Sequence, residues 1–192
     1  MSSNDTEIEI KVKIENAKPL ISFLERNAKF KKEEKQFDEY FTPIHRNFVS
    51  IRPVKEWLRL RNENGKYSIN YKNWQCNKDG KAYSCDEFET HVEDLDTIKK
   101  LFAALDIKPL VKVDKIRKTW NYKDYEISID TVVGLGTFVE IEFKGGSSNH
   151  KKVTDDMIEF LKKLGVGKIQ RDYQGYSFSI LFPNEVEYQN EY

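Results

Sequence analysis

An eight-residue stretch near the N-terminus, Glu7–Ile14, alternates strictly between charged and apolar side chains. Alternation with a period of two predicts a β-strand, because successive side chains of a strand point to opposite faces. The four apolar residues therefore share one face of this strand, and the four charged residues share the other. Taken alone, the pattern predicts a half-buried strand whose charged face lies in solvent.

Pairs of like charges two residues apart recur in four further predicted strands. An apolar or aromatic residue separates the two charges of each pair, so both charges lie on one face of their strand. Like charges held side by side repel, and ordinary protein surfaces intersperse the two signs. Three pairs are acidic and two are basic: Glu7 and Glu9, Glu87 and Glu89, Glu140 and Glu142, Arg59 and Arg61, Lys115 and Arg117.

The repeated pairs can act together if the strands close into one barrel with their charged faces inward. Three carboxylate pairs and two cationic pairs then line the same cavity. Carboxylate oxygens are suitable ligands for a hard divalent cation. Arginine and lysine are suitable partners for the oxygens of a polyphosphate. The charge pattern therefore predicts a cavity that binds both a metal and a polyphosphate.

The rest of the chain supplies the elements that such a barrel needs. We predict about eight antiparallel strands, with a hairpin turn at Asn64-Gly65, and three amphipathic helices at residues 19–27, 95–105 and 154–164. The helices cover the apolar strand faces. The predicted fold is α+β, a single-domain eight-stranded antiparallel β-barrel with helices packed on the outside. Residues 1–182 form this domain, and residues 183–192 form a polar C-terminal tail.

Composition limits the partners of the protein. Lys plus Arg equals Asp plus Glu at 32 each, so no overall electrostatic field attracts duplex nucleic acid or a membrane. The apolar runs are far shorter than the ~20 residues of a membrane span, and the N-terminus lacks the layout of a signal peptide. We therefore expect a cytoplasmic protein without membrane or nucleic-acid duplex partners, and the ten tyrosines are compatible with a homodimer.

The charge pairs belong to a longer series of motifs that resembles the CYTH superfamily, the triphosphate tunnel metalloenzymes. This superfamily includes class IV adenylyl cyclases and thiamine triphosphatases. The N-terminal Glu7-x-Glu9-x-Lys11 is similar to the ExExK signature of the family, and the resemblance extends to about residue 142. The further motifs occur in the same order as in the family: Asp38-x-Tyr40-Phe41, Leu58-Arg59-Leu60-Arg61, Tyr71-Lys72, Glu87-x-Glu89, Lys115-x-Arg117, Asp130 and Leu135-Gly136-x-Phe138-x-Glu140-Ile141-Glu142.

The resemblance implies an eight-stranded tunnel that binds a triphosphate together with one or two Mg²⁺ or Mn²⁺ ions. Tyr40 and Lys72 resemble a pair implicated in water activation in the thiamine triphosphatase branch, so they are the catalytic candidates. The candidates for binding the substrate are Lys11, Arg59, Arg61, Lys72, Lys115 and Arg117, together with Lys81 from a nearby loop. The candidates for binding metal are Glu7, Glu9, Glu87, Glu89, Asp130, Glu140 and Glu142.

Several of these residues have a simpler interpretation, which the sequence leaves open. Glu87 and Glu89 can pair with interior arginine or lysine, because an unpaired buried charge is very costly. Asp130 can be a structural partner of Arg117. Tyr40 can be a packing residue whose hydroxyl is satisfied.

The preferred function is a metal-dependent triphosphatase that hydrolyses inorganic triphosphate or a small organic or nucleoside triphosphate. The alternative is a class IV adenylyl cyclase that converts ATP to cyclic AMP and pyrophosphate, because the segment from Asp38 to Phe48 resembles that branch. No base pocket is identifiable in the sequence. A second alternative is a non-catalytic module that binds polyphosphate or RNA ends, and the full set of acidic residues argues against it.

Overall fold

The computed structural model describes residues 8–76, 82–146 and 149–191, in which the chain forms four helices and ten strands. The helices are α1 (Lys18–Asn27), α2 (Leu95–Ala104), α3 (His150–Leu164) and α4 (Gly175–Leu181). The strands are β1 (Ile8–Ile14), β2 (Lys29–Pro43), β3 (Glu56–Glu63), β4 (Lys66–Cys76), β5 (Ala82–Val92), β6 (Ile107–Tyr122), β7 (Tyr125–Val132), β8 (Gly136–Phe143), β9 (Ile169–Arg171) and β10 (Gln189–Glu191).

The strands form an antiparallel sheet in the order β10-β9-β1-β8-β7-β6-β2-β3-β4-β5. This arrangement confirms the predicted α+β class and its eight long antiparallel strands, β1 to β8. The three-residue strands β9 and β10 extend the sheet beside β1. Strand β10 lies within residues 183–192, the segment for which the sequence predicts a polar tail.

The described residues divide into two compact units. The first unit contains residues 8–34 and 115–191, and the second contains residues 35–114. The long strands β2 and β6 contribute residues to both units.

The core of the first unit is built on the apolar face of β1. All four apolar residues of β1 are buried, at 6% exposure or less, which confirms the predicted alternation. Leu24 of α1 and Leu161 of α3 are fully buried in the same core. Because side chains alternate along a strand, the charged residues of β1 lie on the face away from this core.

The second unit contains the consecutive antiparallel strands β2, β3, β4 and β5. The predicted hairpin turn at Asn64-Gly65 joins β3 to β4, with positive φ angles of 50° and 84°. Two positive φ angles are typical of the type I′ turn that suits the twist of a hairpin. Phe41 and Leu60 pack with Phe102 of α2 in a small core on one face of these strands.

The helix boundaries follow from local chemistry. Helix α1 has a proline in its first turn, where the missing N–H removes no hydrogen bond. Helix α3 begins four residues earlier than predicted, because the side chain of Asn149 caps it by accepting a hydrogen bond from the Lys152 backbone N–H. It ends at Gly165, whose φ of 73° suits a left-handed cap. In the described ranges, none of the helices combines the length and apolar character that crossing a membrane requires.

Candidate functional site

The predicted site residues that the structure describes fall into two groups, one in each unit. Glu7 and Lys81 lie outside the described residues. The first unit contains Glu9, Lys11, Lys115, Arg117, Asp130, Glu140 and Glu142. The second unit contains Tyr40, Arg59, Arg61, Lys72, Glu87 and Glu89.

Strand register brings the residues of the first unit onto one face of the sheet. Lys11 of β1 lies directly opposite Glu140 of β8, and Arg117 of β6 lies directly opposite Asp130 of β7. The same face carries Lys115, two residues before Arg117. Here we call these five residues, Lys11, Lys115, Arg117, Asp130 and Glu140, the Asp130 cluster.

Asp130 is the centre of this cluster and is only 1% exposed. Its two oxygens accept hydrogen bonds from Arg117 Nε and Nη2, each at 2.7 Å, and from Lys115 Nζ at 2.9 Å. Burial alone would raise the pKa of Asp130, but Arg117 and Lys115 outweigh burial and lower the pKa well below its ordinary value. The carboxylate therefore stays ionised and fixes two cations, as in the structural alternative considered from the sequence.

Glu140 lies between two cations, Lys11 and Arg117, and it shares Arg117 with Asp130. Its oxygens accept hydrogen bonds from Arg117 Nη1 and Nη2, each at 3.2 Å, and Lys11 Nζ is 3.3 Å away. Burial opposes ionisation, yet Lys11 and Arg117 lower the pKa of Glu140 to about 2. Burial likewise disfavours the charged form of Lys11, but Glu140 and other carboxylates raise its pKa above the ordinary value. Lys11 and Arg117 thus remain charged on a partly covered surface.

A row of three glutamates crosses β1, β8 and β7 on this face. Glu142 lies opposite Glu9 on one side and opposite Glu126 on the other. Lys144 Nζ is 2.5 Å from Glu142, and Lys31 forms an ion pair with Glu126. Among the residues that the structure describes, no group of three or more potential ligands forms a ready-made metal cage.

The donor set of Glu9 and Glu142 nevertheless fits a magnesium-type cation. Like charges directly opposite each other on neighbouring strands are destabilising, and a divalent cation relieves that repulsion. Mg²⁺ retains several waters and is usually held by one or two carboxylates together with phosphate oxygens of the substrate. Two opposed glutamates are compatible with this mode of binding, which does not require a closed cage of protein ligands.

The second unit repeats the arrangement of a buried aspartate opposite an arginine. Asp38 of β2 is 2% exposed and lies directly opposite Arg61 of β3. Arg61 Nε and Nη2 each donate to Asp38 at 2.7 Å, which makes a bidentate pair. A second cation, Arg59, lies two residues earlier on β3. Together with Glu89, which lies near Arg59, these residues form the Asp38 cluster: Asp38, Arg59, Arg61 and Glu89.

Arg59 is held much less tightly than Arg61. Its side chain is only 13% exposed, yet its Nη1 lies 3.8 Å from Asp38 and its Nη2 lies 3.6 Å from Glu89. Its Nε is buried and has no hydrogen-bond partner within the described ranges. A buried donor without a partner is costly, so Arg59 Nε is able to donate to an acceptor that the described residues do not supply.

The remaining predicted residues of the second unit form polar and aromatic contacts. Lys72 Nζ lies 3.0 Å from Glu87, which also accepts a hydrogen bond from Asn70 at 2.7 Å. Burial opposes ionisation of Glu87, but these two contacts lower its pKa. Tyr40 packs edge-on against Trp57, with ring centroids 5.6 Å apart. These contacts are of the kind expected from the simpler interpretations of Glu87 and Tyr40.

Two functional candidates were missing from the sequence-based set. Asp38 belongs to one of the family-like motifs, but only the β2–β3 register shows that Arg61 is its partner. Tyr176 of α4 donates a hydrogen bond from its hydroxyl to Asp130 at 2.8 Å. A single tyrosine in a short helix carries no pattern that identifies a role.

Comparisons with known proteins show the family of this chain. A model of the CYTH domain matches residues 5–176. This protein is therefore a member of the CYTH domain family. It is 37% identical over 164 residues to a Methanocaldococcus jannaschii protein named "Putative adenylate cyclase MJ0240", and the match covers 84% of this chain and 91% of that protein.

Solved structures confirm the predicted fold. The PH1819 protein from Pyrococcus horikoshii OT3 is similar with a TM-score of 0.69 and 25% identity, and the match covers 93% of this chain and 99% of that one. HpAC1 from Hippeastrum is similar with a TM-score of 0.63, covering 95% of this chain and 97% of that one. Because the two sequences are only 18% identical, this second similarity supports the fold alone.

Proposed function

We propose that this protein is a metal-dependent triphosphatase that hydrolyses inorganic triphosphate or a small organic or nucleoside triphosphate. The proposal rests mainly on Arg59. Its side chain is nearly buried, and its Nε has no hydrogen-bond acceptor in the part of the chain that the structure describes. A planar guanidinium pairs well with an anion that offers several oxygens. A triphosphate is such an anion.

The cations of both clusters support the same ligand class. Arg61, Lys115 and Arg117 are fixed by buried aspartates, so little side-chain entropy is lost when they bind an anion. Lys11 forms an ion pair with Glu140, and Lys72 forms one with Glu87. We assign these five residues and Arg59 to the phosphoryl oxygens, and the contacts of Asp130 support a role in positioning Arg117 and Lys115 rather than in binding metal.

Glu9 and Glu142 are the proposed metal ligands among the described residues, and Glu7 joins them by its place in the family motif. Glu140 stays a candidate ligand, and Glu87 and Glu89 are further ones, although each also contacts a cation. When bound, a divalent metal would neutralise phosphoryl charge and lower the pKa of a bound water.

In the proposed reaction, water attacks the terminal phosphorus of the triphosphate. The bond between that phosphorus and its bridging oxygen breaks, and the products are orthophosphate and pyrophosphate when the substrate is tripolyphosphate. Catalysis of this kind depends mainly on charge neutralisation and alignment. Lys72 and Tyr40 remain the candidates for orienting the water, and Lys81 remains a further candidate for binding the substrate.

The alternative function, a class IV adenylyl cyclase, is favoured by the name of the Methanocaldococcus jannaschii relative. In that reaction the ribose 3′-oxygen of ATP replaces water as the nucleophile, attacks the α-phosphorus and releases pyrophosphate. HpAC1, which shares the fold, is described as revealing a dominant triphosphatase activity. A cyclase-like name on this fold is therefore compatible with hydrolysis.

Product analysis separates the two functions. The purified full chain is incubated with tripolyphosphate or with ATP, in Mg²⁺, in Mn²⁺ and in excess chelator, and orthophosphate, pyrophosphate and cyclic AMP are quantified. We expect orthophosphate and pyrophosphate from tripolyphosphate, no turnover in chelator, and no cyclic AMP from ATP. Formation of cyclic AMP with pyrophosphate from ATP would establish the cyclase instead, and binding without any product would establish the non-catalytic module.

A further inference from the structure

Tyr176 lies in the middle of the Asp130 cluster, although it belongs to no predicted site. It is 8% exposed, and its ring packs edge-on against Phe138 with the centroids 4.9 Å apart. Its hydroxyl donates to Asp130 Oδ2 at 2.8 Å, the oxygen that also accepts from Lys115 and Arg117. Burial and nearby carboxylates raise the pKa of Tyr176 well above its ordinary value, so the hydroxyl stays protonated and able to donate.

Two ammonium groups face the ring of Tyr176. Lys11 Nζ and Lys115 Nζ each lie 5.1 Å from the ring centroid. A cation at this distance is attracted by the negative face of an aromatic ring, and the attraction is larger where the contact is shielded from water. Because the two lysines come from different strands and carry the same charge, a shared ring that attracts both of them counteracts their mutual repulsion.

The segment that carries Tyr176 is also bonded to the backbone of Lys11. The Asp172 backbone N–H donates to the Lys11 carbonyl at 2.9 Å. The Asp172 carboxylate accepts from the backbone N–H groups of Gln174 at 3.0 Å and Gly175 at 2.8 Å, at the start of α4. Asp172 is itself buried, so the position of α4 relative to β1 is well defined.

From these contacts we infer that Tyr176 is a positioning residue for substrate binding. Its ring fixes the ammonium groups of Lys11 and Lys115, and its hydroxyl fixes Asp130, so both lysines are presented to phosphoryl oxygens in one arrangement. The identity of the anion rests on the proposed triphosphatase function. The contributions of the ring and the hydroxyl can be measured separately, because Tyr176→Phe keeps the ring and removes the hydroxyl.

The first measurement needs no ligand. Protons over the face of an aromatic ring shift upfield in NMR spectra, so lysine side chains labelled with ¹³C report whether Lys11 and Lys115 lie over the ring of Tyr176. Their signals are assigned with the variants Lys11→Arg and Lys115→Arg. We expect the shifts to be present in the wild type and in Tyr176→Phe, and to disappear in Tyr176→Leu. Unchanged shifts in Tyr176→Leu would overturn the inference.

The second measurement is tripolyphosphate binding by calorimetry in excess chelator, followed by KM and kcat with metal. We expect Tyr176→Leu to raise the Kd and KM about 10- to 30-fold, as the loss of shielded cation–π contacts predicts. We expect Tyr176→Phe to raise them only about 3-fold, because Asp130 keeps its arginine and lysine. Tyr173→Phe is the control, since Tyr173 is 68% exposed in the same segment, and we expect wild-type values for it.

The outcomes separate this inference from the proposed function. Equal losses in Tyr176→Phe and Tyr176→Leu, or an unchanged Kd in Tyr176→Leu, would show that the ring does not position the lysines. A wild type that neither binds nor hydrolyses tripolyphosphate would overturn the proposed function, and the ligand-free NMR shifts would still decide whether Tyr176 holds the two lysines. Thermal unfolding of each variant verifies that the proteins compared are folded.

Discussion

Glu140 illustrates how a single carboxylate in this site is controlled by its neighbours. Lys11 and the two terminal nitrogens of Arg117 lie 3.2 to 3.3 Å from its oxygens. These cations overcome the effect of burial and bring the pKa of Glu140 from 4.5 to about 2. The folded protein therefore binds a proton at Glu140 less readily than the unfolded chain does.

This difference predicts how stability depends on pH. A group with a lowered pKa in the folded state contributes stability that is fully present above its unfolded value of 4.5 and is lost as the pH falls toward about 2. The contribution at neutral pH is on the order of 3 kcal/mol for a shift of this size. In Glu140→Gln, urea unfolding at pH 5.5, 4.5 and 3.5 should show a shallower loss of unfolding free energy than in the wild type.

Glu159→Gln is the matched control for this experiment. Glu159 is 55% exposed in α3, where it forms a surface ion pair with Lys162, and exposed ion pairs contribute little to stability. We expect this variant to keep the wild-type slope between pH 5.5 and 3.5. A wild-type slope in Glu140→Gln would contradict the assigned role of Lys11 and Arg117 in holding the Glu140 carboxylate ionised.

At the scale of elements, two strand pairs contain the same arrangement. In β2–β3 and in β6–β7, a buried aspartate lies directly opposite an arginine and binds it through two hydrogen bonds of 2.7 Å. A second cation lies two residues before each arginine. In β6 that cation, Lys115, donates to the aspartate, whereas in β3 the corresponding Arg59 stays beyond hydrogen-bond distance.

The contrast between the two arginines of β3 gives a prediction. Arg61→Gln leaves buried Asp38 with only the longer ion pair to Arg59, so the unfolding free energy should fall by about 3–5 kcal/mol. Arg59→Gln removes only the longer ion pairs, so it should cost at most about 1 kcal/mol. Its tripolyphosphate Kd should nevertheless rise by about tenfold or more, because a charge-assisted contact to the anion is lost.

Urea unfolding and calorimetric titration of the same two variants test this division of roles. Arg59→Gln serves as the stability control for Arg61→Gln, since both substitutions remove one arginine from the same strand face. A large loss of stability in Arg59→Gln with unchanged affinity for tripolyphosphate would show that Arg59 is a structural residue rather than a ligand for the anion.

At the scale of the whole molecule, the sequence predicted the parts that have strong periodicity. The alternation of β1, the Asn64-Gly65 turn and the apolar stripes of α1 and α2 each specify an element locally, and each is present. The strand β10 contains three residues, which is too short for a period to be detected. The start of α3 depended on one capping side chain, Asn149.

The site was predictable as a set of residue types and only partly as a set of contacts. Charge pairs and family motifs identified the cations and carboxylates of the two clusters. Which carboxylate binds which cation depends on strand register, because a shift of one residue moves every side chain of the strand to the opposite face of the sheet. The position of Tyr176 depends on contacts of its segment with β1 and β7, two strands that are distant from it in sequence.

Glu9 and Glu142, which lie opposite each other on β1 and β8, are proposed to hold a divalent metal for the hydrolysis of a triphosphate. The most direct test measures orthophosphate release from tripolyphosphate while Mg²⁺ or Mn²⁺ is titrated into the wild type and into the double variant Glu9→Gln, Glu142→Gln. Glu159→Gln again serves as the control. We predict that the wild type and the control require metal, and that the double variant needs about tenfold more metal or loses turnover. Full turnover of the double variant at the wild-type metal concentration would contradict the account.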